Sequence, residues 1–363
     1  MIICDGNKCT GCAACMNICP KDCITMDFNE RFELVPKIDE QKCIKCGACQ
    51  RICPSNNEVE QHLPMQCYAC YAPEERSTSS SGGIAAELAK QFVREGGCVC
   101  GAVYENGTVH HSIIDDEKDL PKLKGSKYVQ SYINDCHKRI KEEVKRRKVL
   151  FVGTPCQVAA VRKVVGDDKN LYCVDLICHG GTSHKYLDEI ISFEKAGELS
   201  FRKNGDCAVR VDDQVVKYSS EYISAFMCCM SYRECCYSCI YAKNTRIGDI
   251  TLGDFWGIKN FPEASKGVSV LLANTEKGKE LFDSIKEGLY YEERKLEEAL
   301  PENPQLSRPS IPHKHREFFL KAVGKVGFVK AVHKSMKKEM FKQRIKKIVY
   351  SNKVLRKLYE AIR

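Results

Sequence analysis

A twelve-residue cysteine motif occurs twice near the start of the chain. Its copies run Cys9-Thr-Gly-Cys12-Ala-Ala-Cys15-Met-Asn-Ile-Cys19-Pro20 and Cys43-Ile-Lys-Cys46-Gly-Ala-Cys49-Gln-Arg-Ile-Cys53-Pro54. Both copies have the same cysteine spacing and end in Cys-Pro. An internal repeat of this kind identifies an architecture before any argument from helix or strand propensity. The repeat predicts a small duplicated unit whose loops place several thiols close together.

The spacing of these cysteines suits iron–sulfur clusters. A [4Fe–4S] cluster needs four thiolates, and in two-cluster ferredoxins the cysteine of the trailing Cys-Pro ligates the other cluster. Structural zinc sites are the alternative, but zinc has no use for a third cysteine in each loop. The repeat therefore predicts two [4Fe–4S] clusters. The ligands would be Cys9, Cys12, Cys15 and Cys53 for the first cluster, and Cys43, Cys46, Cys49 and Cys19 for the second.

The interpretation of the remaining cysteines depends on the cellular compartment of the protein. The first residues show no basic segment followed by an apolar one, so no secretory signal is expected. The chain has 24 cysteines, and a cytoplasmic location would keep them reduced and favour metal ligation over disulfides. We therefore expect a cytoplasmic protein. Cys4 and Cys23 fall outside the repeat and are expected to be ordinary buried thiols.

Composition divides the chain into three regions. Residues 1–58 form the cysteine-dense, ferredoxin-like module, residues 59–322 alternate strand-like and helix-like segments, and residues 323–363 form a basic helical tail. The predicted fold class is mixed α/β (α+β). The clearest segments of the middle region are helices at 84–95, 157–163, 183–195 and 277–287, and strands at 98–104, 149–152, 171–178 and 268–273.

The tail carries much of the formal charge of +9. No aromatic-and-basic pattern accompanies these lysines and arginines, so nucleic acid is not the expected partner. An acidic protein partner or an anionic membrane surface fits better. A solvated helical tail without a partner remains the simpler interpretation.

Four more cysteines in the middle region stand at strand ends or helix starts. Cys156 follows a strand, Cys178 ends another, and Cys236 and Cys239 form a Cys-x-x-Cys pair. Such positions meet at one edge of an α/β sheet, where four thiolates could hold a third [4Fe–4S] cluster. Alternatively, Cys156 at a helix N-terminus could be a nucleophile with His179 as its base. The spacing does not decide between these two functions.

Three segments have features of phosphate or cofactor loops. Ser80, Ser81, Gly82 and Gly83 precede a helix, where backbone N–H groups favour an anion. Lys127 and Tyr128 follow Gly125-Ser126, and Gly253 and Asp254 lie in a glycine-spaced strand and loop. A helix cap and a bulged edge strand explain the first and the last segment equally well. A flavin is the usual partner of iron–sulfur clusters, since it converts between one- and two-electron transfers.

Several motifs resemble the coenzyme F420 hydrogenase/dehydrogenase beta-subunit family, here with an N-terminal ferredoxin module. They occur in the order found in that family. They are Ser79-Ser-Ser-Gly-Gly83, Gly125-Ser-Lys-Tyr-Val-Gln-Ser131, Gly153-Thr-Pro-Cys-Gln157, Cys178-His-Gly180, Cys236-x-x-Cys239 and Gly248-Asp-Ile-Thr-Leu-Gly-Asp-Phe-Trp-Gly257.

The resemblance implies an α/β domain that binds FAD and holds a [4Fe–4S] cluster through Cys156, Cys178, Cys236 and Cys239. It implies FAD contacts from the loop of Ser80 to Gly83, from Lys127 and Tyr128, from Thr154, and from Gly253 and Asp254. The doublet Cys235-Cys236 leaves open which of the two is the ligand. Cys67-x-x-Cys70 is expected not to ligate.

Two functions are compatible with this resemblance. The first is an oxidoreductase that passes electrons between a ferredoxin-type redox protein and a small-molecule hydride donor or acceptor, coenzyme F420 or another. The second is a non-catalytic electron-relay subunit of a larger hydrogenase or dehydrogenase. Neither the substrate nor the direction of electron flow follows from the residues.

Overall fold

The computed structural model describes residues 2–191, 197–203 and 205–351. The N-terminal module consists of helices α1 (Ala14–Ile18) and α2 (Ala48–Ile52) and an antiparallel hairpin of β1 (Ile24–Phe28) and β2 (Leu34–Ile38). The hairpin connects the two copies of the cysteine repeat, and α1 packs against α2. The module therefore folds as one unit built from two equivalent halves.

A large sheet forms the centre of the remaining chain. The remaining strands are β3 (Gln66–Tyr71), β4 (Cys98–Glu105), β5 (Thr108–Ile114), β6 (Val149–Gly153), β7 (Leu171–Leu176), β8 (Leu199–Lys203), β9 (Asp206–Val211), β10 (Gln214–Val215), β11 (Ile250–Asp254), β12 (Ser269–Ala273) and β13 (Tyr290–Glu293). Within the described residues, eight of them pair in the order β13-β3-β12-β11-β7-β6-β4-β5. The mixed α/β fold predicted from the sequence is confirmed.

The middle of this sheet is parallel. Strands β4, β6, β7 and β11 run in the same direction, whereas β5 and the β12-β3-β13 side pair antiparallel. Parallel strands buried on both faces read as continuous apolar runs, as β6 does with Val-Leu-Phe-Val. Because the strands are parallel, the residues that follow β6, β7 and β11 meet at one edge, where α/β sheets bind ligands.

Helices cover both faces of the sheet. The remaining helices are α3 (Pro73–Arg76), α4 (Ile84–Arg94), α5 (Cys136–Glu143), α6 (Pro155–Val165), α7 (His184–Asp188), α8 (Ser219–Met227), α9 (Glu276–Ile285), α10 (Leu296–Ala299), α11 (Arg316–Val326), α12 (Phe328–Ser335) and α13 (Lys337–Ser351). Helices α4 and α9 contribute to the apolar core on one face, and α5 and α6 to the core on the other. No described helix is both long enough and apolar enough to cross a membrane.

The beginning of the basic tail is part of a core. Strands β8, β9 and β10 form a separate sheet, and Phe201 and Val209 of this sheet share one apolar cluster with Phe319, Val323 and Val332. The expectation of a solvated tail from residue 323 is therefore wrong for α11 and α12, because their apolar faces are buried. Residues 352–363 lie outside the described part of the chain.

The helix expected at 183–195 is shorter than the sequence pattern indicates. Ser183 caps α7, which ends at Asp188. The Glu189 carboxylate then accepts hydrogen bonds from the backbone N–H groups of Phe328 and Val329 and so caps α12. Residues 192–195 of the expected helix lie outside the described residues.

Candidate metal centres and flavin site

The two cysteine loops of the module have the same backbone conformation. Left-handed residues occupy equivalent places, Gly11 and Ala13 in the first loop and Lys45 and Gly47 in the second. Ala13 and Gly47 directly precede α1 and α2. Such turns direct successive backbone N–H groups into one concavity, which favours anionic sulfur. A side chain at Gly11 would place its Cβ 2.8 Å from the Leu34 carbonyl oxygen, so only glycine fits there.

The four thiols predicted for the first cluster lie together. The Cys12 and Cys15 thiols are buried, which raises the pKa of Cys12 to about 11 and that of Cys15 above its usual range. The charges of Cys9 and Cys53 raise both further. Four thiolates that repel one another in a buried place need a cationic partner, and iron supplies that charge.

The four thiols predicted for the second cluster line one cavity. This cavity is open to solvent and is bordered by Cys19, Cys43, Cys46 and Cys49. Cys46 is exposed, whereas Cys19 and Cys49 are buried. The second candidate cluster site is therefore the one that opens to the surface within the module.

Cys4 and Cys23 are not ordinary buried thiols away from the repeat. Cys23 Sγ lies 3.4 Å from Cys19 Sγ and lines the same cavity. The Cys4 thiol forms hydrogen bonds with the Cys53 and Cys9 thiols, and these contacts raise the pKa of Cys4 above its usual range. Each group of four predicted ligands therefore has a fifth thiol beside it.

Backbone N–H groups also point at the predicted ligands. The Cys53 thiol accepts from the backbone of Ser55 and Asn56, and Cys19 accepts from Lys21 and from Cys23. Hydrogen bonds to cluster sulfur are one of the means by which a protein sets a reduction potential. The donor set and its backbone surroundings thus fit [4Fe–4S] clusters. Among the described residues, no three His, Cys, Asp or Glu side chains are arranged to hold a single metal ion.

A third group of thiols lies at the carboxyl edge of the large sheet. It consists of Cys156 at the start of α6, Cys178 just after β7, and Cys235, Cys236 and Cys239 in and after a 3-10 turn at Glu234–Ser238. The cysteines that the resemblance assigns to a third cluster are all in this group, with Cys235 as an additional member. Which of Cys235 and Cys236 would be the fourth ligand therefore remains open.

Both cysteines of the doublet interact electrostatically with other thiols of this group. Burial raises the pKa of Cys178 to about 12, and the charges of Cys239 and Cys235 raise it further. Cys156 experiences the charges of Cys178, Cys235 and Cys239. Cys236 experiences the charges of Cys235 and Cys178 and accepts a hydrogen bond from the Gly181 N–H at 3.4 Å.

These shifts also bear on the nucleophile hypothesis. The Cys156 thiol forms a contact of 3.2 Å with Thr154 Oγ1, and burial raises its pKa well above the usual value. A reactive cysteine needs a lowered pKa, because the thiolate is the nucleophile. The raised pKa speaks against a nucleophile at Cys156, and its role as a cluster ligand stays a prediction.

A buried ion pair fixes this third group to the sheet. Arg246 follows Cys239 in the chain, and its guanidinium donates to the Asp175 carboxylate at 2.6 Å. The same carboxylate accepts from the backbone N–H groups of Ile247 and Gly248. Arg246 also lowers the pKa of Cys178 and of Cys239, although burial raises both overall.

The residues implied as flavin contacts surround the same edge. Gly83 has φ +84° and starts α4, whose first N–H groups have no partner within the helix. Ser80 Oγ accepts a hydrogen bond from the Ser126 N–H at 2.9 Å, so two of the loops are joined. A Cβ on Gly82 would lie 2.5 Å from the Cys70 carbonyl oxygen. The Gly82 N–H donates to Ser269 Oγ at 3.1 Å and the Ser81 hydroxyl to the Val268 carbonyl at 3.1 Å, so this part of the loop is packed against β12.

Other implied contacts are engaged within the chain. The Lys127 ammonium donates to the carbonyl oxygens of residues 122, 123 and 124, at 3.1, 3.1 and 2.7 Å, and burial lowers its pKa to about 8. The Tyr128 ring stacks on Phe226 at 4.7 Å. Thr154 caps α6 together with Gln157. These residues stabilise the surroundings of the edge in the structure described.

At the end of β11, Asp254 pairs with a residue that the sequence did not single out. Arg202 of β8 donates to the Asp254 carboxylate at 2.6 Å, and its guanidinium lies 4.8 Å from the ring of Trp256. Gly253 lies against Ile177, where a Cβ would come within 2.6 Å of the isoleucine side chain. Trp256 is exposed, so this end of the edge presents a planar aromatic surface to solvent.

Cys67 and Cys70 do not face each other. Both are on β3, but Cys67 belongs to one apolar cluster and Cys70 to another. Residues three apart on a strand point to opposite faces of the sheet. The two thiols therefore do not converge on one site.

Two segments of the chain match known protein families. Residues 146–299 match the family described as the C terminus of the coenzyme F420 hydrogenase/dehydrogenase beta subunit, and residues 8–57 match a 4Fe-4S dicluster domain. The predicted resemblance to this family and the two-cluster N-terminal domain are confirmed. The family match includes Thr154 and the third thiol group, whereas Ser80 to Gly83, Lys127 and Tyr128 lie outside the matched residues.

One solved structure is similar to this chain. It is a chain of the F420-reducing [NiFe] hydrogenase complex from Methanosarcina barkeri, with 19% identity and a TM-score of 0.44. The alignment covers 68% of this chain and 88% of that chain. No curated protein matches the chain in sequence.

Proposed function

We propose that this chain is an iron–sulfur flavoprotein oxidoreductase. It would pass electrons between a ferredoxin-type carrier and a hydride donor or acceptor, either coenzyme F420 or another small molecule. When bound, the clusters carry one electron at a time, and FAD exchanges two electrons with the hydride partner. The direction of transfer depends on the potentials of the two partners.

The observation that carries this proposal is the contact between the N-terminal module and the third thiol group. Ala13 of the module shares one apolar cluster with the buried Tyr241 and with Cys156 and Cys239. Cys12 packs with Ala160 of α6, the helix that carries Cys156 in its first turn. Thiols of two candidate clusters thus lie on either side of this contact. Electrons could then move from the surface of the module to the edge of the large sheet without leaving protein.

The exposed end of this route is the second candidate cluster. Cys46 is exposed, and the neighbouring Ile44 is 58% exposed beside the open cavity. A redox protein needs close approach to a cluster and an apolar contact surface that can be desolvated. We infer that the external carrier docks here, with the hydride partner at the far end near Trp256.

The residues assigned to FAD have chemistry that suits its parts. The start of α4 and the hydroxyls of Ser80 and Ser81 would hold phosphate, and Arg202 would place a positive charge near Asp254. Thr154, Cys156 and Cys178 lie at the ends of the adjacent strands β6 and β7. A flavin bound across this edge would therefore be adjacent to the third thiol group.

A non-catalytic relay subunit is the second candidate function. The observation in its favour is that Lys127 and Asp254 already have partners within the chain. A relay would need the clusters but no flavin of its own. It would deliver electrons to the flavin or metal of a larger complex.

Cofactor analysis of anaerobically purified protein separates these functions. The flavoprotein predicts about twelve iron atoms and one bound or bindable flavin per chain. A full load of iron without bindable flavin would favour the relay. Colourless protein that contains zinc or no metal would contradict both.

Flavin titration of matched variants then tests the assigned site. Asp254→Asn and Ser80→Ala should each weaken FAD binding, whereas Asp213→Asn changes an exposed carboxylate paired with Lys203 and should not. Equal affinity in all three variants would place the flavin elsewhere.

A further inference from the structure

Arg233 lies buried where the N-terminal module meets the third thiol group. Its side chain is 4% exposed, and its backbone N–H donates to the Gly181 carbonyl at 2.9 Å. The guanidinium Nη2 donates to the carbonyl oxygens of Cys9 and Leu34, both at 2.9 Å. Nη1 donates to Gln130 Oε1 at 2.9 Å.

The same guanidinium faces thiols of two candidate clusters. Its Nη2 binds the Cys9 carbonyl at 2.9 Å, and its side chain contacts the thiol of Cys235, two residues further along the chain. Cys9 is assigned to the first cluster, and Cys235 belongs to the third thiol group. A single buried cation is therefore shared by the two groups.

One donor of this side chain has no acceptor. The Arg233 Nε–H is buried and has no hydrogen-bond partner among the described residues. A buried N–H of a charged group without a partner costs free energy. The Arg316 Nε–H is also buried without a partner, so what distinguishes Arg233 is its position beside cysteines. Thiolate or sulfide sulfur of a bound cluster is the acceptor that the neighbouring cysteines would provide.

Nearby carboxylates do not cancel this charge completely. Glu33 is buried next to Arg233, but it also pairs with Arg31 at 3.1 Å and accepts from the backbone N–H of Glu234. Arg233 therefore retains positive charge toward the thiols. In a site of low dielectric, such a charge favours any change that adds an electron nearby.

We propose that Arg233 is a positioning residue that raises the reduction potentials of the first and third clusters together. Its carbonyl contacts fix the module against the segment of Cys235, and its charge stabilises the electron on either side. Reduction adds one electron to a cluster, and no proton transfer is required of Arg233. This inference rests on the proposed function, because it assumes a cluster at the third thiol group.

The test is a redox titration of the cluster-loaded protein, monitored by electron paramagnetic resonance. In Arg233→Gln, the first and third clusters should each become about tenfold harder to reduce, which corresponds to about 59 mV for one electron. The second cluster should not change. Arg233→Lys keeps the charge and should recover a large part of both shifts.

Arg316→Gln is the matched control. Arg316 is also 4% exposed at this interface, but its guanidinium binds Glu234 and the Tyr232 carbonyl rather than a cysteine. Its removal should leave the potentials unchanged. Equal shifts in both variants, or no shift in Arg233→Gln, would overturn the inference.

A measurement on the unaltered protein applies even if Arg233→Gln does not fold. Fully reduced protein should show magnetic coupling between a module cluster and the third cluster, and Cys239→Ser should remove it. If protein that contains all three clusters shows no such coupling, the inference about Arg233 is wrong but the proposed function is unaffected. Absence of a third cluster from the unaltered protein would instead count against the proposed function.

Discussion

Arg246 and Asp175 form an ion pair at 2.6 Å with side chains that are only 2% and 0% exposed. Asp175 is in β7, three residues before Cys178, and Arg246 follows Cys239. The carboxylate accepts two hydrogen bonds from the guanidinium and two from the backbone. The pair thus joins the two chain segments that carry the third thiol group.

Asp175→Asn should destabilise the protein strongly. It leaves a buried guanidinium without its counter-charge, which costs about 3–5 kcal/mol. Anaerobic urea unfolding should show a lower midpoint, and iron bound at the third group should fall. Glu142→Gln, which breaks an exposed pair with Lys145, should change stability by at most about 1 kcal/mol. Similar losses in both variants would contradict a special role of the buried pair.

Serine variants of the third group should each lose four of about twelve iron atoms. The expectation applies to Cys156, Cys178 and Cys239, while Cys67→Ser should keep all the iron because Cys67 is on another face of the sheet. Cys235→Ser and Cys236→Ser decide the ligand of the doublet, since only one of them should lose iron. Iron analysis and spectra of the reduced proteins give the answer. If alkylation of Cys156 leaves all iron in place, a nucleophile becomes the better assignment.

Cys4→Ala and Cys23→Ala should retain both clusters of the module. Each thiol lies beside a complete set of four predicted ligands, so it is not needed as a fifth. In contrast, Cys53→Ala and Cys19→Ala should lose iron unless the adjacent Cys4 or Cys23 replaces the missing ligand. Combining Cys53→Ala with Cys4→Ala removes that replacement. Iron loss in Cys23→Ala alone would show that the ligand set of the second cluster is assigned wrongly.

Acid should destabilise the fold through buried histidines. Burial lowers the pKa of His111 to about 3 and that of His184 to about 4. In the unfolded chain these rings gain a proton near pH 6.5, so stability is complete above that pH and falls as the pH drops toward 4. Each histidine contributes a slope of about 1.4 kcal/mol per pH unit in this window.

His111→Gln should therefore flatten the pH dependence of unfolding. Urea midpoints at pH 7, 6 and 5 provide the measurement, taken as a difference from unaltered protein under the same anaerobic conditions. His110→Gln is the control, because His110 is only half-buried and pairs with Glu105. An unchanged slope in His111→Gln would show that this ring is already protonated in the folded protein.

Most of the features that could be predicted from the sequence were predicted from local patterns. The cysteine repeat places its ligands by spacing within one short loop, so the two-cluster module was predictable without long-range information. Strand β6 was expected at 149–152 and spans Val149–Gly153, because a buried parallel strand is apolar throughout. The helix expected at 84–95 ends at Arg94, where the following glycines stop it.

Long-range contacts were beyond such patterns. Arg233 and Cys9 are 224 residues apart, and nothing in either segment signals that they meet. The position of Arg233 two residues before a cysteine doublet was the one available hint. The lysines of α11 and α12 suggested exposed helices. Their long side chains can reach water even though the apolar faces of these helices are buried.

Arg202 and Asp254 illustrate the same limit at the flavin edge. Asp254 follows a recognisable glycine-spaced strand, but its partner comes from the separate sheet of β8 to β10, which the sequence did not predict. Short strands with polar exposed faces give a weak periodic signal. Assignment of the implied flavin contacts therefore depends on binding experiments.

The docking of the module on Arg233 and Glu234 has a consequence for biosynthesis. Protein chains leave the ribosome with the N-terminus first, and domains usually fold as they appear. The cysteine loops emerge long before the segment that will cover Gly11 and Leu34. A module that folds during synthesis thus exposes this surface until Arg233 arrives to cover it.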